Sequence, residues 1–298
     1  MEMRQLGKTD MRVSVLGFGG AEIGFEKAAV QTVAELLNSA LDAGLNIIDT
    51  AECYLQSEEL IGQAAAGRRK DYYLFTKCGH PDNPGVEDWR PASLVSSIER
   101  SLKRLRTDHL DLVQLHSCSE AELRKGDVIG ALEDARKKGY TRYIGYSGDG
   151  GAARYAIESG RFDTLQTSVN IADQEALELT LPLAQQRQMG VIAKRPIANA
   201  VWRYSQKPEN TYYHTYWERM RKLDFDFLRG EAKQGVSIAL RFTLNVPGVH
   251  TAIVGTKNPR RWRENAELLQ AGALPPESIE KIRARWREAA DASWVGQI

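Results

Sequence analysis

Four side chains in this sequence have the types needed to place a proton on a carbonyl oxygen: Asp49, Tyr54, Lys77 and His116. A free phenol titrates near 10 and donates poorly at neutral pH. An ammonium about 4 Å away favours the phenolate by up to roughly 4 kcal/mol at an effective dielectric of 20, before desolvation opposes it. Lys77 in that position makes Tyr54 a better acid. A carboxylate beside the ammonium offsets the cost of burying it, which gives Asp49 a reason to stand there. His116 can then hold the carbonyl oxygen in line. Each residue alone has an ordinary explanation, such as an aspartate that caps the next turn.

All four close, or directly follow, short apolar runs. "NIIDTAECY" carries Asp49 and Tyr54, "YLFTK" ends on Lys77, and "DLVQLH" ends on His116. Runs of this kind recur at 15–19, 46–49, 72–77, 110–116, 143–147, 164–169, 191–194 and 251–254. Between them lie segments with apolar residues at three- and four-residue spacing, at 31–43, 57–65, 91–105, 127–138, 152–159, 177–189, 237–244 and 259–269. Unbroken βα alternation without a linker predicts one parallel sheet covered on both faces, and eight units close it into a (β/α)8 TIM barrel. A chain of 298 residues suits a single such α/β domain over 1–298. Residues 1–14 predict an N-terminal hairpin that plugs the bottom. The tyrosine-rich stretch 196–235 predicts a long loop at the C-terminal face, and "PPESIEKIRARWREAADASWVGQI" an extra helix and tail. Catalytic groups of such barrels gather at the C-terminal strand ends, where these four residues stand.

Forty basic against 39 acidic residues leave no field to recruit nucleic acid or an anionic membrane, so the expected partner is a small molecule. No apolar run approaches the roughly 20 residues that span a bilayer, and "MEMRQLGKTDMR" is too polar for a secretory segment. Cytoplasmic localisation is expected. Cys53, Cys78 and Cys118 are an odd number, which fits a reducing compartment. With His80 nearby they raise the idea of a metal site. None is expected, because Lys77 would repel a cation and Cys78, next to it on a strand, faces the other way.

The stretches "NIIDTAECY", "LFTK", "SLKRLRTDHLDLVQLH" and "AIVGTKNPRRWREN", in this order, resemble the aldo-keto reductase superfamily from the first strand to the eighth helix. The resemblance implies that Asp49, Tyr54, Lys77 and His116 form a catalytic tetrad with Tyr54 as general acid. It also implies reversible reduction of an aldehyde or ketone by a nicotinamide cofactor. "LGFGGAEIG" fails as a dinucleotide fingerprint because Glu22 holds the third glycine position. The resemblance instead sets Gly20 and Ala21 beside the nicotinamide ribose, and Ser147 and Gln166 at the carboxamide. Thr256, Lys257 and Arg261 precede or open a helix whose positive end favours an anion. By resemblance these three meet the 2'-phosphate, with Glu264 and Asn265 at the adenine end, which favours NADPH over NADH.

The chain departs from the family at several points. Gly148 replaces a usual asparagine, and Leu55 stands where glycine is frequent, narrowing the pocket beside Tyr54. Lys194 and Arg195 take the place of an aromatic that stacks on the nicotinamide. A cation cannot stack, although it can clamp the pyrophosphate, and Trp202 can move in. Trp89, the cluster 212–217 and Trp294 are expected to shape substrate choice. The rival reading is a cofactor-binding sensor or regulatory subunit with little turnover.

Overall fold

The computed structural model describes residues 1–297 apart from residues 82 and 84. An antiparallel hairpin of β1 (Met3–Gln5) and β2 (Arg12–Ser14) comes first. There follow β3 (Leu16–Gly19), α1 (Ala21–Phe25), α2 (Val30–Asp42), β4 (Ile47–Asp49), α3 (Ser57–Ala65), β5 (Tyr73–Cys78), α4 (Pro91–Leu105) and β6 (Leu110–His116). Next come α5 (Glu120–Lys125), α6 (Asp127–Lys137), β7 (Thr141–Ser147), α7 (Gly150–Glu158), β8 (Thr164–Ser168), α8 (Ala176–Leu179), α9 (Leu181–Gln186) and β9 (Gly190–Lys194). The chain continues through α10 (His214–Leu223), α11 (Ala232–Asn245), β10 (Thr251–Gly255), α12 (Arg261–Leu268) and α13 (Pro276–Ala289). Strands β3 to β10 pair in parallel, each with the next, and β10 returns to β3 to close a (β/α)8 barrel.

Alternation along each strand sets the two faces. Ile47, Phe75, Leu112, Ile192 and Ile253 point inward and pack with Leu6, Met11 and Val13 of the hairpin, which thus closes the N-terminal end. Ile48, Leu74, Val113, Ile144 and Val191 belong to the separate outer layer beneath the helices. Ile47, Phe75 and Leu112 are fully buried, each contributing about 1.5–3 kcal/mol over exposure. Two residues further along the same inward faces, apolar side chains give way to Asp49, Lys77 and Gln114. The barrel is oily below and polar at its C-terminal end.

Several elements differ from expectation for local reasons. The helix expected over 177–189 breaks at Thr180 because Pro182, in the first turn of α9, cannot carry the ladder through. The helix expected from Pro259 begins at Arg261, since Asn258 first accepts from the amides of Arg260 and Arg261 in a turn of its own. The helix expected at 237–244 starts at Ala232, where a polar first turn hides it from apolar periodicity. Within 196–235, Tyr216, Met220 and Leu223 fall on one buried face, so part of the expected loop is α10. Among the described residues no helix is long and apolar enough to cross a membrane.

Candidate active site

The structure brings Asp49, Tyr54, Lys77 and His116 together at the C-terminal end of the barrel. Lys77, 1% exposed, reaches the carboxylate of Asp49 and donates to the Thr50 carbonyl at 2.8 Å. The other Asp49 oxygen accepts from Gln166 at 2.9 Å and Gln114 at 3.3 Å. The buried ion pair therefore carries the extra hydrogen bonds that such pairs need to persist. The Lys77 amine lies 5.1 Å from the Tyr54 ring centroid.

Tyr54 stands on the turn between β4 and α3. Its amide bonds Ala51, its carbonyl accepts from Ser57, and the Ser57 hydroxyl reaches back to the carbonyl of Gly20 at 2.7 Å. On the other side, a Cβ at Gly24 would stand 1.9 Å from the Tyr54 carbonyl, so only glycine lets α1 pack this closely. Glu52 in the same turn is buried and anchored on α4 by Ser97 and by Arg100 at 2.7 Å. The next residue, Leu55, has φ +50 and is 43% exposed. That left-handed backbone explains why glycine suits this position.

The Tyr54 ring meets His116 edge-on at 5.7 Å, and His116 meets His80 at 5.4 Å, which in turn meets Trp89 at 5.5 Å. Trp89 therefore reaches the site through His80. Gly79, at φ +112, makes room for the Trp89 ring, which a Cβ would strike at 2.1 Å. The Cys53 sulfur lies 3.4 Å from His116 Nδ1. Burial pushes the Cys53 thiol up to about 12, so it keeps its proton. Burial, with Lys77 and His80 next, holds His116 well below the usual imidazole range and hence neutral. Tyr54 moves the other way from expectation. Burial, then the Asp49 carboxylate, pushes its phenol well above 10.

Ser147 and Gln166 lie side by side, the Ser147 hydroxyl donating to Gln166 Oε1 at 3.1 Å. Gly20 caps α1, and its amide bonds the Asp49 carbonyl at 2.7 Å, with Ala21 next to it. Lys194 pairs with Asp149 at 2.7 Å; burial and Arg195 outweigh that carboxylate and bring Lys194 down to about 8. Arg195 contacts Tyr212, Ser168 and Gln297. After β10, Lys257 pairs with Glu26 at 2.7 Å and Arg261 with Glu264 at 3.4 Å, while Asn265 is buried and Thr256 accepts from the Asn258 amide. Trp202 lies against Gly235 at the start of α11. Gln114 was missed as a site neighbour, and Cys53 and His80, expected near the strand ends, touch His116. Gln114 was within reach, standing two positions before His116 on the same strand face. Cys78 and Cys118 are buried, free thiols, Cys78 in the outer layer with Leu74.

The sequence profile of the aldo/keto reductase family matches residues 15–287, which take in the whole barrel and its strand ends. The chain belongs to the aldo/keto reductase family. It is 27% identical to the oxidoreductase YqkF of Bacillus subtilis over 97% of each chain. Identity to L-galactose dehydrogenase of Arabidopsis thaliana is 25%, covering 100% of this chain and 98% of that one. The aldo-keto reductase AKR11C1 from Bacillus halodurans, in its holo form, has a similar solved structure, with TM-score 0.85 and 26% identity over 99% of both chains. Aldo/keto reductases are oxidoreductases of small carbonyl compounds and generally use a nicotinamide cofactor.

Proposed function

We propose that this aldo/keto reductase converts an aldehyde or ketone to its alcohol, reversibly, with NADPH as hydride donor and Tyr54 as proton donor. The meeting of Tyr54 and His116 with the buried Lys77 and Asp49 pair carries this reading.

Tyr54 holds its proton at neutral pH because burial and Asp49 disfavour the phenolate. It gives that proton up only when the carbonyl oxygen gains alkoxide character and becomes a far stronger base than the resting carbonyl. Lys77 steadies the phenolate that remains, and Asp49 fixes the amine in place. His116 is neutral, and the Cys53 thiol at its Nδ1 favours the tautomer with hydrogen on Nε2, which can donate to the carbonyl oxygen. His80 holds the backbone beneath it by donating to the His116 carbonyl at 2.7 Å.

The residues suit a phosphorylated nicotinamide cofactor. Thr256, Lys257 and Arg261 precede or open α12, where the helix dipole favours an anion. Lys257 and Glu26 are 56% and 43% exposed, so their pair is weak and can be exchanged for a phosphate. Glu264 and Asn265 would hold the adenine end, Ser147 and Gln166 the carboxamide, and Gly20 and Ala21 the ribose. The chemistry supplied by a bound nicotinamide is hydride transfer to the carbonyl carbon. Steady NADPH oxidation with 4-nitrobenzaldehyde, abolished in Tyr54→Phe, is the expected result. Tight NADPH binding without turnover across a broad carbonyl panel would instead make the protein a sensor.

A further inference from the structure

Three basic side chains at the barrel mouth are paired with carboxylates. Lys77 has Asp49, Lys194 has Asp149 at 2.7 Å, and Arg219 has Asp173 at 3.6 Å. Arg195, among the described residues, has only neutral acceptors. Its Nε donates to the Tyr212 hydroxyl at 2.8 Å, and its Nη1 to the Gln297 carbonyl at 2.5 Å and the Ser168 hydroxyl at 3.3 Å. Nη2 makes no hydrogen bond to a described residue. A largely buried guanidinium with a free edge and, among the described residues, no carboxylate within ion-pair distance is a recognition element for a planar oxyanion.

Backbone geometry aims it at the mouth. By alternation Arg195 would follow the inward-facing Lys194 onto the outer face of the barrel. Instead it adopts φ +54, a left-handed backbone that ordinarily favours glycine, and the guanidinium turns over the strand ends to Ser168 on β8. That direction leads away from β10 and the basic strip that follows it. The guanidinium also lies within electrostatic reach of both Tyr54 and His116.

We propose that Arg195 binds an anionic group of the substrate, so that the preferred substrate is a carbonyl compound that also carries a carboxylate. This rests on the reductase reading above and specifies its substrate class. Tyr212, on the aromatic stretch after β9, and the C-terminal segment at Gln297 then form two sides of the carboxylate seat. The same guanidinium chemistry could serve a phosphate of the cofactor, and the test separates the two sources.

The test compares 4-carboxybenzaldehyde with its neutral methyl ester, using NADPH and the full-length chain. The wild type is expected to favour the acid at least tenfold in kcat/KM. Arg195→Gln should remove that preference through KM for the acid, with the NADPH Kd, read by fluorescence titration, changing less than twofold. Arg195→Lys keeps the charge and should retain part of the preference. An absent preference in the wild type overturns the proposal, and needs no variant that might misfold. So does an unchanged acid-to-ester ratio in a folded Arg195→Gln. A fivefold or larger rise in NADPH Kd, with acid and ester declining together, assigns Arg195 to the cofactor and also overturns it. Should the wild type reduce neither aldehyde, the reductase reading fails by itself. Calorimetry with terephthalate on the NADPH-loaded protein then decides: binding to the wild type that is lost in Arg195→Gln supports the anion seat, and equal or absent binding sinks it.

Discussion

The Lys77 amine lies 5.1 Å from the centroid of the Tyr54 ring, and its hydrogen bonds go to Asp49 and Thr50. Lys77 thus acts on Tyr54 through space, with Asp49 tempering its charge. The phenol remains a loaded acid at rest, and the cation favours the phenolate only once the proton has moved.

The Asp49 and Lys77 pair should be costly to halve. Asp49→Asn leaves a cation, 1% exposed, beside a neutral amide and should lower unfolding free energy by about 3–5 kcal/mol. Urea denaturation measures this. Lys77→Met in the Asp49→Asn background should recover part of the loss, because the unpaired charge is gone. A loss below about 1 kcal/mol in Asp49→Asn would mean that the pair does not hold the strand ends together.

Much of this was legible in the sequence because a parallel barrel turns chain order into position. Asp49, Lys77 and His116 each end an apolar run, and a period of two puts Asp49 above Ile47 and Lys77 above Phe75 on one inward face. Charge balance was not legible in the same way. Lys77 could be seen to face Tyr54, but how far Asp49 offsets it depends on burial and on the bonds from Gln114 and Gln166. Nor could the sequence reveal that Cys53 reaches His116, since that contact spans 63 residues. The turn of Arg195 over the mouth depends on a left-handed backbone that a non-glycine residue does not announce.

Two buried groups should act on the pH dependence of stability in opposite senses. Burial, then Asp149, raises the Asp173 carboxyl to about 7, and one of its oxygens has no partner among the described residues. The fold therefore binds a proton there that the unfolded chain releases near 4, so its contribution is full below that value and is lost as pH rises through 7. His116 works in the opposite sense. Held neutral, it contributes above about 6.5, and that contribution is lost as pH falls. Thermal melts should show Asp173→Asn gaining stability relative to the wild type as pH rises from about 4 to 7 while keeping the acid-side decline. An unchanged difference between variant and wild type across that range would contradict this role.

Cofactor choice should depend on α12 and on one acid facing it. Arg261→Ala should weaken NADPH at least fivefold more than NADH, and added salt should weaken NADPH binding in the wild type. Glu26→Gln releases Lys257 and should tighten NADPH alone, by about two- to fivefold, the size of an exposed pair. Fluorescence titrations with both cofactors check all three, and equal effects on NADPH and NADH would remove the phosphate assignment.

The Cys53 thiol should set the tautomer of His116. Nitrogen chemical shifts of His116 in labelled protein are expected to show hydrogen on Nε2, with Cys53→Ala mixing the tautomers and lowering kcat/KM by about two- to tenfold, the worth of one modest hydrogen bond. Cys53→Ser should restore both. Unmoved shifts in Cys53→Ala would assign Cys53 to packing alone.

The most direct test of Tyr54 as proton donor is single-turnover NADPH oxidation by wild type and Tyr54→Phe at saturating 4-nitrobenzaldehyde, with NADPH Kd measured alongside. Removing the acid should slow the chemical step by about 10²–10⁴-fold while Kd stays within twofold. A Tyr54→Phe protein that binds NADPH normally and still turns over within tenfold of the wild type would contradict it.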